Sequence, residues 1–95
     1  MDITNNKKLF RFEANLPGGE FATLEYRWLK GSMVLMHTLV PAGTRLRGVG
    51  STLVKYVLDY ARAQHLKIVV YCPFVTKYMK LHPEYNDLVD EGHKR

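Results

Sequence analysis

The feature that most narrows what this chain can fold into is a double change of hydrophobic period between residues 33 and 72. "MVLMHTLVP" (33–41) has few polar residues, which predicts a strand buried on both faces. After a glycine-containing loop, Leu53, Val54, Val57, Leu58 and Ala61 recur at helical spacing. Lys55, Asp59 and Arg62 fall on the opposite side, which predicts an amphipathic helix over 51–65. "KIVVYC" (67–72) is again β-branched and strand-like. Strand, helix and strand in that order predict a parallel pair with a right-handed crossover.

The flanking segments complete the pattern. "KLFRFEANL" (8–16) and "EFATLEYRWL" (20–29) read as strands, the second with the strict alternation of a half-buried one. "PGG" and "KGS" are turns, so these strands and 33–41 predict an antiparallel meander. "FVTKYMKLH" (74–82), between Pro73 and Pro83, predicts a short helix. "PEYNDLVDEGHKR" reads as an acidic tail that frays, with at most a short strand or turn. The fold class is α+β: a mixed sheet, an antiparallel meander followed by a β-α-β crossover and a short C-terminal helix.

With 95 residues, the expectation is a single domain over 1–95 with one core and one shallow site. No apolar run approaches the ~18 residues of a membrane span. The first ten residues lack the apolar centre of a secretory signal. A single cysteine excludes an internal disulfide and suits a reducing, cytoplasmic setting. Charge is more informative by position than in total. Residues 26–83 carry nine Lys or Arg against one acid, Asp59, while both ends are net acidic. The middle of the chain is suited to an anion. Candidates are a nucleotide-containing cofactor, a nucleic acid or an acidic surface, and a plain solubilising face also fits.

The loop "RLRGVGST" (45–52) bears on the choice. A helix N-terminus presents up to four backbone N–H groups without intrahelical partners and a partial positive charge. Together these attract phosphate, and glycine removes the Cβ that would block its approach. Arg45 and Arg47 add charge, and the first helical turn contains no acid. The pattern is not a dinucleotide fingerprint, since the third glycine is missing, nor a Walker loop, since G-K-[ST] is missing. The alternative is a strand-to-helix turn that simply needs glycine.

"VPAGTRLRGVGSTLVKYVLDYA" resembles the acetyl-CoA-binding loop and helix of the GNAT superfamily of N-acetyltransferases. Arg45, Gly48 and Gly50 match the superfamily pattern [QR]-x-x-G-x-[GA] one for one. "HTLVP" and "CPFVTKYMKLHPEY" are similar to a subgroup of unusually short GNAT-like proteins, in which the cysteine at the strand end and the "HPEY" stretch recur. The resemblance spans roughly residues 20–90. It implies acetyl-CoA as cofactor, with Leu46, Arg47, Gly48, Val49, Gly50, Ser51 and Thr52 around the pyrophosphate. It also implies a cleft between splayed strands, where the pantetheine arm pairs with backbone near Leu39 and Val40.

For catalysis the resemblance points to Cys72 and Tyr78, and the residues of the strand themselves add His37. Short relatives often carry Glu where this chain has Leu39, so a simple Glu base at that position is lost. His37 lies on the same strand face and is a type of group that titrates near neutrality. The alternative is a half-buried histidine bonded to backbone. Cys72 ends a strand before a helix, a setting that favours thiolate. It could take the acetyl group covalently, line the pocket, or be a small buried hydrophobe. Tyr78 matches a tyrosine that in many relatives protonates the leaving thiolate, and it could equally pack on the cofactor. No His or Cys pair has zinc-ligand spacing.

The expected function is acetyl transfer to an amine, on a small molecule or a protein, by a monomer with no membrane partner. One rival is a module that holds coenzyme A without transferring anything. The other is a small basic nucleic-acid-binding domain. Against that rival stand the absence of a helix-turn-helix, zinc or RNA-binding aromatic motif, and the gathering of bases around a glycine loop.

Overall fold

The computed structural model describes residues 2–43 and 48–93. Its sheet runs in the order β1 (Asp2–Asn6), β2 (Arg11–Asn15), β3 (Phe21–Leu29), β4 (Ser32–Leu39) and β5 (Ile68–Val70). The first three pairings are antiparallel, and β4 with β5 is parallel. Helix α1 (Val49–Ala63) makes the crossover and α2 (Pro73–Leu81) follows β5. The α+β class, the meander and the β-α-β unit are therefore as the sequence predicts.

Local chemistry explains the elements. In β2 and β3 the alternating set Phe12, Ala14, Ala22, Leu24 and Tyr26 is buried, whereas Phe21 and Arg27 on the other face are exposed. The β3–β4 turn has Lys30 at φ 50° and Gly31 at φ 87°, the two positive angles that a two-residue hairpin requires. The apolar stripe of α1 is buried along its length. Each Val or Leu in it contributes about 1.5–3 kcal/mol of transfer free energy. α1 contacts β2, β3 and β4, α2 contacts β4 and β5, and the helices touch each other. They cover one face of the sheet. The 3-10 turn Pro83–Leu88 docks on both helices.

Three elements depart from the sequence expectation. β1 is an additional edge strand with only Ile3 as a large apolar residue. It is held by register rather than by hydrophobic pattern, with Ile3 opposite Ala14 and Asn5 opposite Phe12. The Tyr26 hydroxyl donates to Asn5 Oδ1 at 2.7 Å. β4 is buried on both faces only through Leu35, and Met36, His37 and Leu39 are exposed. The tail does not simply fray: Tyr85 and Leu88 are buried, Val89 bridges to Ile68, and the Asp90 N–H donates to the Ile68 carbonyl at 2.8 Å.

A bulge explains the change along β4. Tyr26 pairs with Leu35 but Glu25 pairs with His37, so Met36 is the extra residue. A bulge reverses the facing of everything beyond it relative to strict alternation. Met33 and Leu35 face the core, yet His37 falls on the open face and Thr38, opposite buried Leu24, turns inward.

Candidate active site

The parallel ladder of β4 and β5 stops at Leu35 and Val70, although β4 continues to Leu39. At that point the Tyr71 and Cys72 N–H groups both donate to the Leu35 carbonyl, at 3.0 and 3.1 Å. The chain then turns away into α2, and the two strands separate. A cleft of about 530 Å³ opens there, lined by His37, Thr38, Leu39 and Val40 on the β4 side. Gly48, Gly50 and Ser51 at the start of α1, with Phe74 on α2, line the remainder.

The two glycines do different work. Gly48 is the N-cap of α1 at φ 69°, ψ 21°, a left-handed conformation that favours glycine. Its carbonyl accepts the Thr52 N–H at 3.0 Å, which begins the helix two residues earlier than the periodicity indicates. Gly50 has ordinary helical geometry, but a Cβ there would lie 2.6 Å from Phe74 Cζ. Its lack of a side chain admits the Phe74 ring to the α1 N-terminus. Val49 is buried and Thr52 exposed. Arg45, Leu46 and Arg47 lie outside the described residues.

Cys72 is the N-cap of α2 and only 2% exposed. Its Sγ lies 3.2 Å from Thr38 Oγ1, and its carbonyl accepts the Thr76 N–H at 3.1 Å. Thr38 lines the cleft, so the thiol sits one side chain behind the wall. His37 is exposed and on the wall itself. Tyr78 is one helical turn beyond Phe74 and is not among the lining residues. Its ring stacks on His82 with centroids 4.1 Å apart, and burial holds its phenol above the ordinary value. Thr38 and Phe74 are site residues that sequence reasoning missed. The hydroxyl in "HTLV" was a visible signal for the first, but the Phe74–Gly50 contact left none. Among the described residues no group of three or more His, Cys, Asp or Glu could hold a metal ion.

A family model of GCN5-related N-acetyl-transferases matches residues 11–88, from the first residue of β2 to the last of the turn after α2. The chain belongs to the GCN5-related N-acetyltransferases. This N-acetyltransferase domain is 32% identical to Protein NATD1 of Gallus gallus over 85 residues, covering 87% of this chain and 77% of that one. It is 31% identical to Protein NATD1 of Homo sapiens over 83 residues, covering 85% of this chain and 74% of that one. The solution structure of a GCN5-like protein from Staphylococcus aureus superposes with a TM-score of 0.67. That match covers 99% of this chain and 95% of the other at 24% identity, which establishes the likeness of fold. No helix among the described residues is long and apolar enough to cross a membrane.

Proposed function

We propose that the cleft beyond the end of β5 binds acetyl-CoA and that the protein transfers the acetyl group to an amine. The observation that carries this reading is the position of the cleft. It joins the end of β4 that β5 no longer pairs to the N-terminus of α1, whose first turn holds no acid. The residues suit such a group. The α1 N-terminus offers backbone N–H donors to a pyrophosphate. The extended backbone near Leu39 and Val40 matches the amides of a pantetheine arm, and Phe74 supplies an apolar wall. The chemistry that acetyl-CoA brings is an activated thioester carbonyl. The chain's own part is to hold the carbonyl at the strand fork, remove the amine's proton and receive the departing thiolate. Thr38 and Cys72 stand beside that fork, and Tyr78 is a protonated phenol one turn further on.

Thermal unfolding of the chain titrated with acetyl-CoA, CoA, ATP and a short DNA duplex tests this. Binding to the folded state alone raises stability by about 2.7 kcal/mol at a hundredfold excess over Kd. Acetyl-CoA and CoA should raise the midpoint and ATP should have little effect. A rise with DNA alone would overturn the assignment. One observation favours a second reading, a module that holds coenzyme A without transfer: none of the described cleft-lining residues is acidic. Acetyl-CoA binding without transfer to any amine would select it.

A further inference from the structure

Two turns share the end of the sheet opposite the cleft. β4 runs from Ser32 at this end to Leu39 on the cleft wall, a rise of about 23 Å. The β2–β3 ladder ends at Arg11 opposite Glu25, and the Phe10 carbonyl accepts the Tyr26 N–H at 2.8 Å. β3 continues to Leu29, paired there with β4 alone. The β1–β2 turn therefore lies beside the last residues of β3. Leu9 and Phe10 on that turn, with Trp28 and Leu29 on β3, are 38–53% exposed. A buried ring holds two of them in place. Phe10 and Trp28 both meet Tyr26 edge-on, with centroids 6.2 and 5.6 Å away, and the Tyr26 hydroxyl is anchored on Asn5. Phe10 takes φ 55°, a left-handed conformation unfavourable for a bulky residue, and its ring still stands open to solvent. The same end carries Lys7, Lys8, Arg27 and Lys30, all exposed. None of them pairs with a carboxylate among the described residues. Arg27 donates to the Tyr26 carbonyl at 2.7 Å and lies 5.7 Å from the Phe10 ring, so its charge stays beside the apolar group. Asp90 and Glu91 follow the Val89–Ile68 bridge and so lie at the β5 edge, away from β1 and β2. Asp90 also accepts from the Ser32 hydroxyl at 2.5 Å.

Exposed apolar side chains and cations without ion pairs on the same two turns suit a partner that is anionic at its surface and apolar beneath. A nucleic acid fits less well. Leu9 and Leu29 have no ring for a base to stack on, and the two exposed rings lean edge-on against Tyr26. A specific protein interface takes about 20–30 residues a side, more than two short turns supply. We propose that the β1–β2 and β3–β4 turns form a peripheral membrane-binding tip for an anionic phospholipid surface. Leu9, Phe10, Trp28 and Leu29 enter the boundary between headgroups and acyl chains, where an indole ring is favoured. Lys7, Lys8 and Lys30 extend their ammonium groups to the headgroup phosphates while their stems lie on the apolar layer. The expectation of no membrane partner came from the lack of a long apolar run, and a surface contact needs none. The cleft, at the other end of the sheet, stays clear of this contact.

Trp28 is the single tryptophan of the chain, so the fluorescence of the unlabelled protein reports on the tip directly. The full chain is titrated with vesicles of phosphatidylcholine alone and of phosphatidylcholine with about 30% phosphatidylserine, the negative surface that basic segments meet in a membrane. With the anionic vesicles the emission should move to shorter wavelength, and brominated acyl chains should quench it. Neutral vesicles should bind far more weakly, and added salt should weaken binding to the anionic ones. In vesicle sedimentation the Lys7→Gln, Lys8→Gln double variant should bind about 25-fold more weakly, roughly fivefold for each charge lost. Leu9→Ser with Leu29→Ser should weaken binding at least tenfold. Far-UV circular dichroism and urea unfolding of each variant should match the wild type, since all four positions are exposed. No emission change with anionic vesicles overturns the proposal. So does sedimentation with vesicles while Trp28 emission stays unchanged, which would assign the binding to charge elsewhere on the chain. Wild-type binding by both double variants overturns it too. A shift with a single-stranded oligonucleotide and none with vesicles would give the tip to nucleic acid instead. The titration contains no acetyl-CoA, so its outcome is separate from that of the cofactor reading.

Discussion

Gly48 and Gly50 are two letters apart, yet their substitution should have opposite signatures. At Gly48 the constraint is the backbone. Alanine in the left-handed region should cost about 1–2 kcal/mol, and asparagine, which tolerates that region, should cost less. Chemical denaturation of the two variants checks the order. At Gly50 the constraint is one neighbour, the far end of the half-exposed Phe74 ring. Alanine improves helix propensity by about 1 kcal/mol while displacing that ring. Gly50→Ala alone should therefore be close to neutral in stability. In a Phe74→Ala background the same change should stabilise by about 1 kcal/mol. The difference is the coupling a double-mutant cycle measures. No gain in that background would mean that Gly50 is confined by something other than Phe74.

At the scale of elements, the acidic turn after α2 is latched to α1 by polar contacts. The Tyr85 hydroxyl donates to Asp59 Oδ1 at 2.6 Å and Lys55 donates to Asp59 Oδ2 at 2.7 Å. Arg62 grips both carboxylate oxygens of Asp87 at 2.9 Å and the Glu84 carbonyl at 2.8 Å. Tyr85 is buried, so Tyr85→Phe should cost about 1 kcal/mol in urea unfolding at neutral pH. The latch also has a pH signature. Burial pushes the Asp59 carboxyl up, but bonds from Lys55 and Tyr85 and the charges of Lys55 and Arg62 outweigh it and leave it below its ordinary 3.8. The Arg62 hydrogen bond holds Asp87 below the same value. A carboxylate depressed in the folded state stabilises above the unfolded value and loses that contribution as pH falls through the folded one. Melting temperature should thus drop below about pH 4, and less steeply in the Asp59→Asn, Asp87→Asn double variant. Equal slopes would leave the latch without electrostatic content. Both ion pairs are largely exposed, so the effect should also shrink with salt.

At the scale of the molecule, helices cover one face of the sheet, and the cleft lies at its fork. On the acetyl-CoA reading, enlarging Gly50 or removing the Phe74 ring, both of which line the cleft, should weaken acetyl-CoA more than it alters folding. A thermal-shift series with acetyl-CoA on the wild type and Phe74→Ala, beside urea unfolding of both, checks this. The sequence by itself determined the order of elements, the meander, the buried stripe of α1 and the turn chemistry at Lys30–Gly31. It also carried the glycine pattern that marks the family. These are local properties, written as periods of two or 3.6 and as single residues with special angles. Only the tertiary structure decided which residue of "MVLMHTLV" is the bulge, and hence which way His37 and Thr38 point. It also decided where β5 ends, that Phe74 fills the space left at Gly50, and that the acidic tail docks through Asp59 and Asp87. Nothing local distinguishes these outcomes, because each depends on pairing register and on contacts between segments far apart in the chain. A one-residue shift there changes every facing while leaving the hydrophobic pattern nearly as well satisfied.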